Sequence, residues 1–201
     1  MRPSGHSLLA KAAALLALAL AGACAEGTTP IADHRSALVL SASERQTAEA
    51  FEARVKDYRA LCRTVTAKVP KLPNRATPEQ IDEHQRALGA LIKAARAGAK
   101  RGDLFTPDME ALVKRSLQAV LAGSDAKIIK ASIMDENPGV PNLGVNDRYP
   151  DAIPLSSMPP QVLEALPKLE EELEYRFIGE RLALVDPESH IIIDFTADVL
   201  P

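Results

Sequence analysis

The stretch 173–195 constrains this chain most. It reads as three apolar strands, 173–178 (LEYRFI), 181–186 (RLALVD) and 191–195 (IIIDF), joined by links of two and four residues. Gly179 leads the shorter link, as a type II′ turn requires, because the first central residue of that turn has a positive φ. Asp186 stands before Pro187 at the longer link, where its carboxylate can accept turn N–H groups. The two-residue loop sets Phe177 against Leu182 and Tyr175 against Leu184. The four-residue loop sets Leu184 against Ile193 and Leu182 against Phe195. All six side chains then share one face, because side chains alternate along a strand. A three-stranded sheet with such a face is not stable alone and needs a cover.

Helices upstream supply the cover. Over 43–68, Phe51, Val55, Tyr58, Cys62, Val65 and Val69 recur at 4-3-4-3-4 spacing, the seam of a helix that packs on a partner. Glu44, Glu49, Glu52, Arg54, Lys56, Asp57 and Arg59 fall on its other faces. Pro70 and Pro73 end it. Thr77-Pro78-Glu79-Gln80 starts a second helix, with Thr77 as N-cap and Gln80 closing a capping box. Its apolar stripe is Ile81, Leu88, Leu91, Ile92 and Ala95, and the two helices form an antiparallel hairpin. Thr106-Pro107-Asp108 repeats the start signal for a third helix, with Met109, Leu112, Val113, Leu117, Val120 and Leu121 on one face and Gly123 at its end. Residues 124–136 fit either a helix or a strand, and we favour a short helix.

Seven of the fifteen prolines lie in 138–167. They predict an extended connection, with a brief strand near 143–147 and a short helix that Ser157 caps and Pro167 stops. The expected organisation is a leader over 1–25, a tether over 26–42, a helical region over 43–136, the Pro-rich connection over 137–172 and the meander over 173–201. The fold class is α+β.

Residues 1–25 read as an export signal. Arg2 and Lys11 precede the uncharged run AAALLALALA, and the small residues Gly22-Ala23-Cys24-Ala25 follow. Cleavage after Ala25 fits an ordinary signal peptidase. Ala21-Gly22-Ala23-Cys24 also resembles a lipobox, which would place a lipid on Cys24. Either route leaves Cys62 as the one remaining thiol, on the apolar seam, where a small buried hydrophobe is expected. Losing 1–25 removes two bases and no acid, so the net charge moves from −3 to −5. That charge excludes binding to nucleic acid by bulk positive potential.

Candidate sites are sparse. Asp186, His190 and Asp194 are four apart, but in a strand His190 and Asp194 stand about 13 Å from each other, too far for one metal ion. Asp194 is instead expected to face Arg176 across the small Ala183, as a partly exposed ion pair. His84 is expected to be half-buried beside the second helix's stripe, and His34 lies in the tether. Glu170, Glu171, Glu172 and Glu174 read as a solvated charge run. There is no Gly-x-Ser-x-Gly turn, Gly-rich phosphate loop or HExxH motif.

The segment YRFIGERLALVDPESHIIIDF resembles a small sheet module of uncharacterised exported bacterial proteins, distantly like that of periplasmic relatives of nickel/cobalt-homeostasis regulators. The stretch from Arg148-Tyr149-Pro150 onward resembles exported proteins of Gram-negative bacteria. The resemblance implies location and fold and carries no metal role, since no His-rich segment is present. The expectation is a non-catalytic envelope protein, without a cofactor, that binds another envelope protein or shields a surface. It would meet the membrane only through its leader or a lipid on Cys24. A hydrolase-like enzyme and a metal-stress sensor are the alternatives.

Overall fold

The computed structural model describes residues 39–135, 144–151, 158–169 and 172–200. Cys24, His34, Ser157 and the leader lie outside them. Among the described residues the fold is α+β: helices α1 (Ala42–Thr66), α2 (Pro78–Ala95), α3 (Pro107–Val120), α4 (Ala126–Asp135) and α5 (Pro160–Ala165), then strands β1 (Glu174–Ile178), β2 (Arg181–Asp186) and β3 (Ile191–Asp198). The strands form one antiparallel sheet in the order β1-β2-β3. No helix among these residues is long and apolar enough to cross a membrane.

The helix starts follow the local chemistry. Ser41 caps α1 in a capping box with Glu44, and Thr77 caps α2 in one with Gln80. The Thr106 hydroxyl accepts from Met109 N at the start of α3. These caps satisfy N–H groups that the first turn leaves without intrahelical partners. Residues 126–135 are helical, with Ile129 and Ile133 buried and Ile128 outside at 72% exposure. Pro159, not Ser157, occupies the N-cap position of α5.

All six residues of the α1 seam are buried, and they meet α2 and α3. One large core joins α1, α2, α3, α4 and α5 to Tyr175, Phe177, Leu182, Leu184 and Ile193 of the sheet. Three of the few aromatics bridge its parts. Phe51 stacks on Phe105 at 5.4 Å, and Phe105 meets Tyr175 at 6.5 Å. The α2 stripe is thinner than its periodicity suggests. Leu88 and Ile92 are buried, while Ile81, Leu91 and Ala95 are exposed.

Gly89 explains how α2 can lie so close to the sheet. A β-carbon there would stand 3.1 Å from the Ser189 carbonyl oxygen and 3.4 Å from Ile191 Cδ1. Gly89→Leu is expected to cost about 2–3 kcal/mol, because the added side chain forces helix and turn apart. Gly89→Ala should be near neutral, since the better helix propensity, about 1 kcal/mol, offsets a slight push. Urea unfolding of both variants checks this; equal, negligible losses would refute the close approach.

The meander departs from its expected register twice, both times between β2 and β3. Phe177 pairs with Leu182, Tyr175 with Leu184 and Arg176 with Ala183, as the two-residue loop requires. Gly179 has φ 60°, and Glu180 does not share a positive φ, as a type II′ turn demands. Asp186 pairs with Ile191 and Val185 with Ile192 beside the four-residue loop. Beyond that point β3 carries bulges. Leu184 faces Asp194 rather than Ile193, and Ala183 faces Phe195. Each extra residue reverses the alternation of side chains. Phe195 therefore leaves the main core and packs, half-buried, on a second cluster of Tyr149, Ile178, Ala183, Val185 and Ile192 on the sheet's other face. Thr196 stands buried in its place, and its hydroxyl accepts from Leu182 N at 2.9 Å.

The brief strand expected near 143–147 is a single bridge between Arg148 and Ile191. Its neighbours extend the pairing. Asn146 N donates to Ile192 O, Ile192 N to Asp147 O, and Tyr149 N to His190 O. The free edge of β3 is thus partly covered, which blunts a template for unwanted strand pairing.

Candidate functional site

The expected ion pair between Arg176 and Asp194 does not form. Asp194 is fully buried, and its two oxygens accept backbone N–H groups from Gly102 (3.0 Å), Leu104 (2.8 Å), Phe105 (2.8 Å) and its own neighbour Phe195 (2.9 Å). The β3 bulge turns the carboxylate toward the α2–α3 loop, where these donors need an acceptor. Arg176 pairs with Glu174 within β1. The role of Asp194 is to fasten that loop to the sheet.

Asp186 does form the expected turn, accepting from Glu188 N (3.0 Å) and Ser189 N (3.3 Å) through Oδ1. Its second oxygen does more than the sequence suggested. Oδ2 accepts the Tyr58 hydroxyl at 2.8 Å and the Cys62 thiol at 3.7 Å, both from α1. Arg96, just past α2, lies over the Tyr58 ring at 5.1 Å and donates to Asn146 Oδ1 (2.6 Å) and Ile193 O (3.0 Å). Asn146 answers by donating to Arg96 O at 2.9 Å through its side-chain amide. Burial lowers the affinity of the Arg96 guanidinium for its proton.

The polar cluster backs onto a pocket of about 560 Å³. Cys62 lies in its wall, with Ala67, Val69 and Leu72 making the rest of the apolar lining. Three cations line it too: Arg59, Arg63 and Lys71. Thr66, His84 and Glu188 complete the wall. Three bases line it against one acid, Glu188, and Glu172 already pairs with Arg59, so the uncompensated positive charge of the lining comes from Arg63 and Lys71. Such a concave positive surface concentrates anions.

Arg59 corrects a second expectation. Placed by periodicity among the outward faces of α1, it is only 5% exposed. Its Nη2 meets Glu172 Oε2 at 2.5 Å, while Nε and Nη1 are buried without an acceptor. Buried polar atoms normally have partners, so two orphans on one guanidinium mark an unsatisfied site. Of the expected solvated run, Glu172 and Glu174 keep exposed side chains and pair with Arg59 and Arg176, while Glu170 and Glu171 lie outside the described residues.

Burial pushes the Cys62 thiol up to about 11, the nearby Asp186 charge adds to the rise, and the Tyr58 hydroxyl and Arg59 pull against it. The thiol is therefore protonated at neutral pH and a poor nucleophile. The folded state holds this proton more tightly than the unfolded chain, so Cys62 contributes full stability below about pH 9. That contribution is lost as pH rises through 11. The stability difference between the native protein and Cys62→Ala is expected to shrink by about 2 kcal/mol over that interval. A difference independent of pH in guanidinium unfolding would contradict it.

The histidines stay apart from any such centre. His84 is half-buried in the pocket wall, and His190 Nδ1 stands 3.6 Å from Asp151 Oδ1. Among the described residues, no three His, Cys, Asp or Glu side chains are grouped to hold a metal ion. No protein-family model, curated protein or solved structure matches the chain.

Proposed function

We propose that this is an exported, non-catalytic binding protein of the cell envelope, and that it binds a small anionic ligand in the pocket beside α1. Arg59 carries the reading: a buried guanidinium with two unpartnered nitrogens, in the wall of an open cavity. The groups around it suit binding better than turnover. The thiol is held protonated, and His84 and Glu188 are the remaining acid–base groups of the lining. Export rests on residues 1–25, with their basic start, apolar run and small-residue exit. The resemblance of 175–195 to modules of exported bacterial proteins supports the same location.

Fractionation of cells expressing the full chain tests the first half. Loss of 1–25, or lipid on Cys24, is expected in the envelope fraction. Palmitate labelling that survives Cys24→Ala would exclude Cys24 as the lipid site, and an uncleaved cytoplasmic chain would overturn export. For the second half, NMR titration with small organic anions is expected to shift resonances of α1 and 69–72 without converting the ligand. Conversion of the ligand, or shifts confined to other regions, would overturn the binding reading.

A further inference from the structure

We propose that the pocket's ligand is a monocarboxylate with an aliphatic body, its carboxylate taken by Arg59 and its body laid on Val69 and Leu72. The inference rests on reading the protein as a binding module and specifies the chemistry of that site.

Four observations carry it. First, Arg59 already holds one carboxylate, Glu172, on Nη2, while Nε and Nη1 lack acceptors and are closed off from solvent, so an incoming carboxylate enters by displacing Glu172. A guanidinium is planar and weakly hydrated, and carboxylates match its donors. Glu172 is itself 58% exposed at the side chain, so it can yield to a competing anion at little cost. Second, the cationic rim is solvated: Arg63 and Lys71 are exposed, suited to drawing an anion in rather than fixing it. Third, Glu188 sits in the same lining. A second negative charge on the ligand would meet it, which disfavours a phosphate dianion relative to a single carboxylate. Fourth, Ala67, Val69 and Leu72 give the wall an apolar stretch beside Thr66 and His84. Leu72 is 38% exposed, and the Cys62 thiol donates to Asp186 rather than to the cavity. An aliphatic chain covers such a surface favourably, at about 25 cal/mol per Å². The volume, about 560 Å³, lies in the range of small-molecule sites.

The same chemistry is offered by a free fatty acid and by the C-terminal residue of a peptide ending in leucine. Calorimetry and NMR on the purified full chain, with octanoate, N-acetyl-Leu-Leu, octanamide, octyl phosphate and inorganic phosphate, separate these. Octanoate or N-acetyl-Leu-Leu is expected to bind at least tenfold more tightly than octanamide, and whichever binds better names the source. Arg59→Met should weaken that ligand tenfold or more, with Arg59→Lys recovering part of the loss. Because Arg59 is buried, the exposed pair Arg63→Glu and Lys71→Glu gives a second reading free of folding effects, with an expected loss of about fivefold or more at low salt. Octanamide binding as tightly as octanoate, or octyl phosphate binding more tightly, would overturn the carboxylate assignment and leave the binding module standing. The absence of any binding at α1 by all five probes would overturn both.

Discussion

Asp194→Ala is expected to destabilise the protein by about 4 kcal/mol, more than any other single change to a polar side chain discussed here. The carboxylate is fully buried and accepts four backbone N–H groups, three of them from the α2–α3 loop. Alanine leaves those donors in an apolar setting, and each orphaned donor costs about 1–3 kcal/mol before relaxation. Water entering the gap recovers a part, so the net loss is smaller than the sum. For a protein of this size the melting temperature should fall by roughly 8–16 °C. Asp194→Asn retains one acceptor oxygen and presents an N–H₂ group to donors, so it should lose about half as much. Hydrogen exchange localises the effect: the amides of Gly102, Leu104 and Phe105 should lose protection first. A loss under 1 kcal/mol for Asp194→Ala would show that the loop does not depend on this carboxylate.

Asp186→Ala is expected to cost about 3 kcal/mol. One oxygen holds the turn through Glu188 N and Ser189 N, and the other receives the Tyr58 hydroxyl and the Cys62 thiol from α1. The change therefore loosens the β2–β3 turn and detaches it from the first helix together. Tyr58→Phe removes one donor and leaves the turn intact, so it should cost about 1 kcal/mol. The double variant should cost less than the two losses combined by about 1 kcal/mol, since the shared hydrogen bond is counted in both. Strict additivity would mean that the 2.8 Å contact between them contributes nothing to stability. The variant also reaches the pocket, because Cys62 lies in its wall. A weakened grip on the carboxylate ligand should accompany the lost stability.

Both aspartates were visible in the sequence, and only one of them was legible. Asp186 announced half its role, since Asp-Pro at the head of a four-residue link is a local signal for an Asx turn. Its bonds to Tyr58 and Cys62 span 128 and 124 residues, and no local pattern reports them. Asp194 carries one local hint of its role. It interrupts the otherwise apolar run of β3, where a charge must be satisfied to be buried. Pairing it with Arg176 assumed an unbroken register, and the bulges in β3 removed that geometry. Arg59 was misplaced for a related reason. Helical periodicity assigns a residue to a face but does not report how wide a stripe the neighbours bury. It marks the α1 seam and sets Arg59 outside it, although the surrounding structure covers that side too.

The sequence by itself determined the pieces: where α2 and α3 begin, that Gly179 turns, and that three strands follow the helices, while it left 124–136 open between helix and strand. Caps, prolines and turn residues act over three or four positions, so a linear reading contains their physics. Tertiary structure alone decided the shifted register of β3, the nest of loop amides around Asp194, and the burial of Arg59 in a cavity wall. Each of these depends on groups from distant parts of the chain that must satisfy one another once water is excluded, and that requirement exists only after the helices have closed over the sheet.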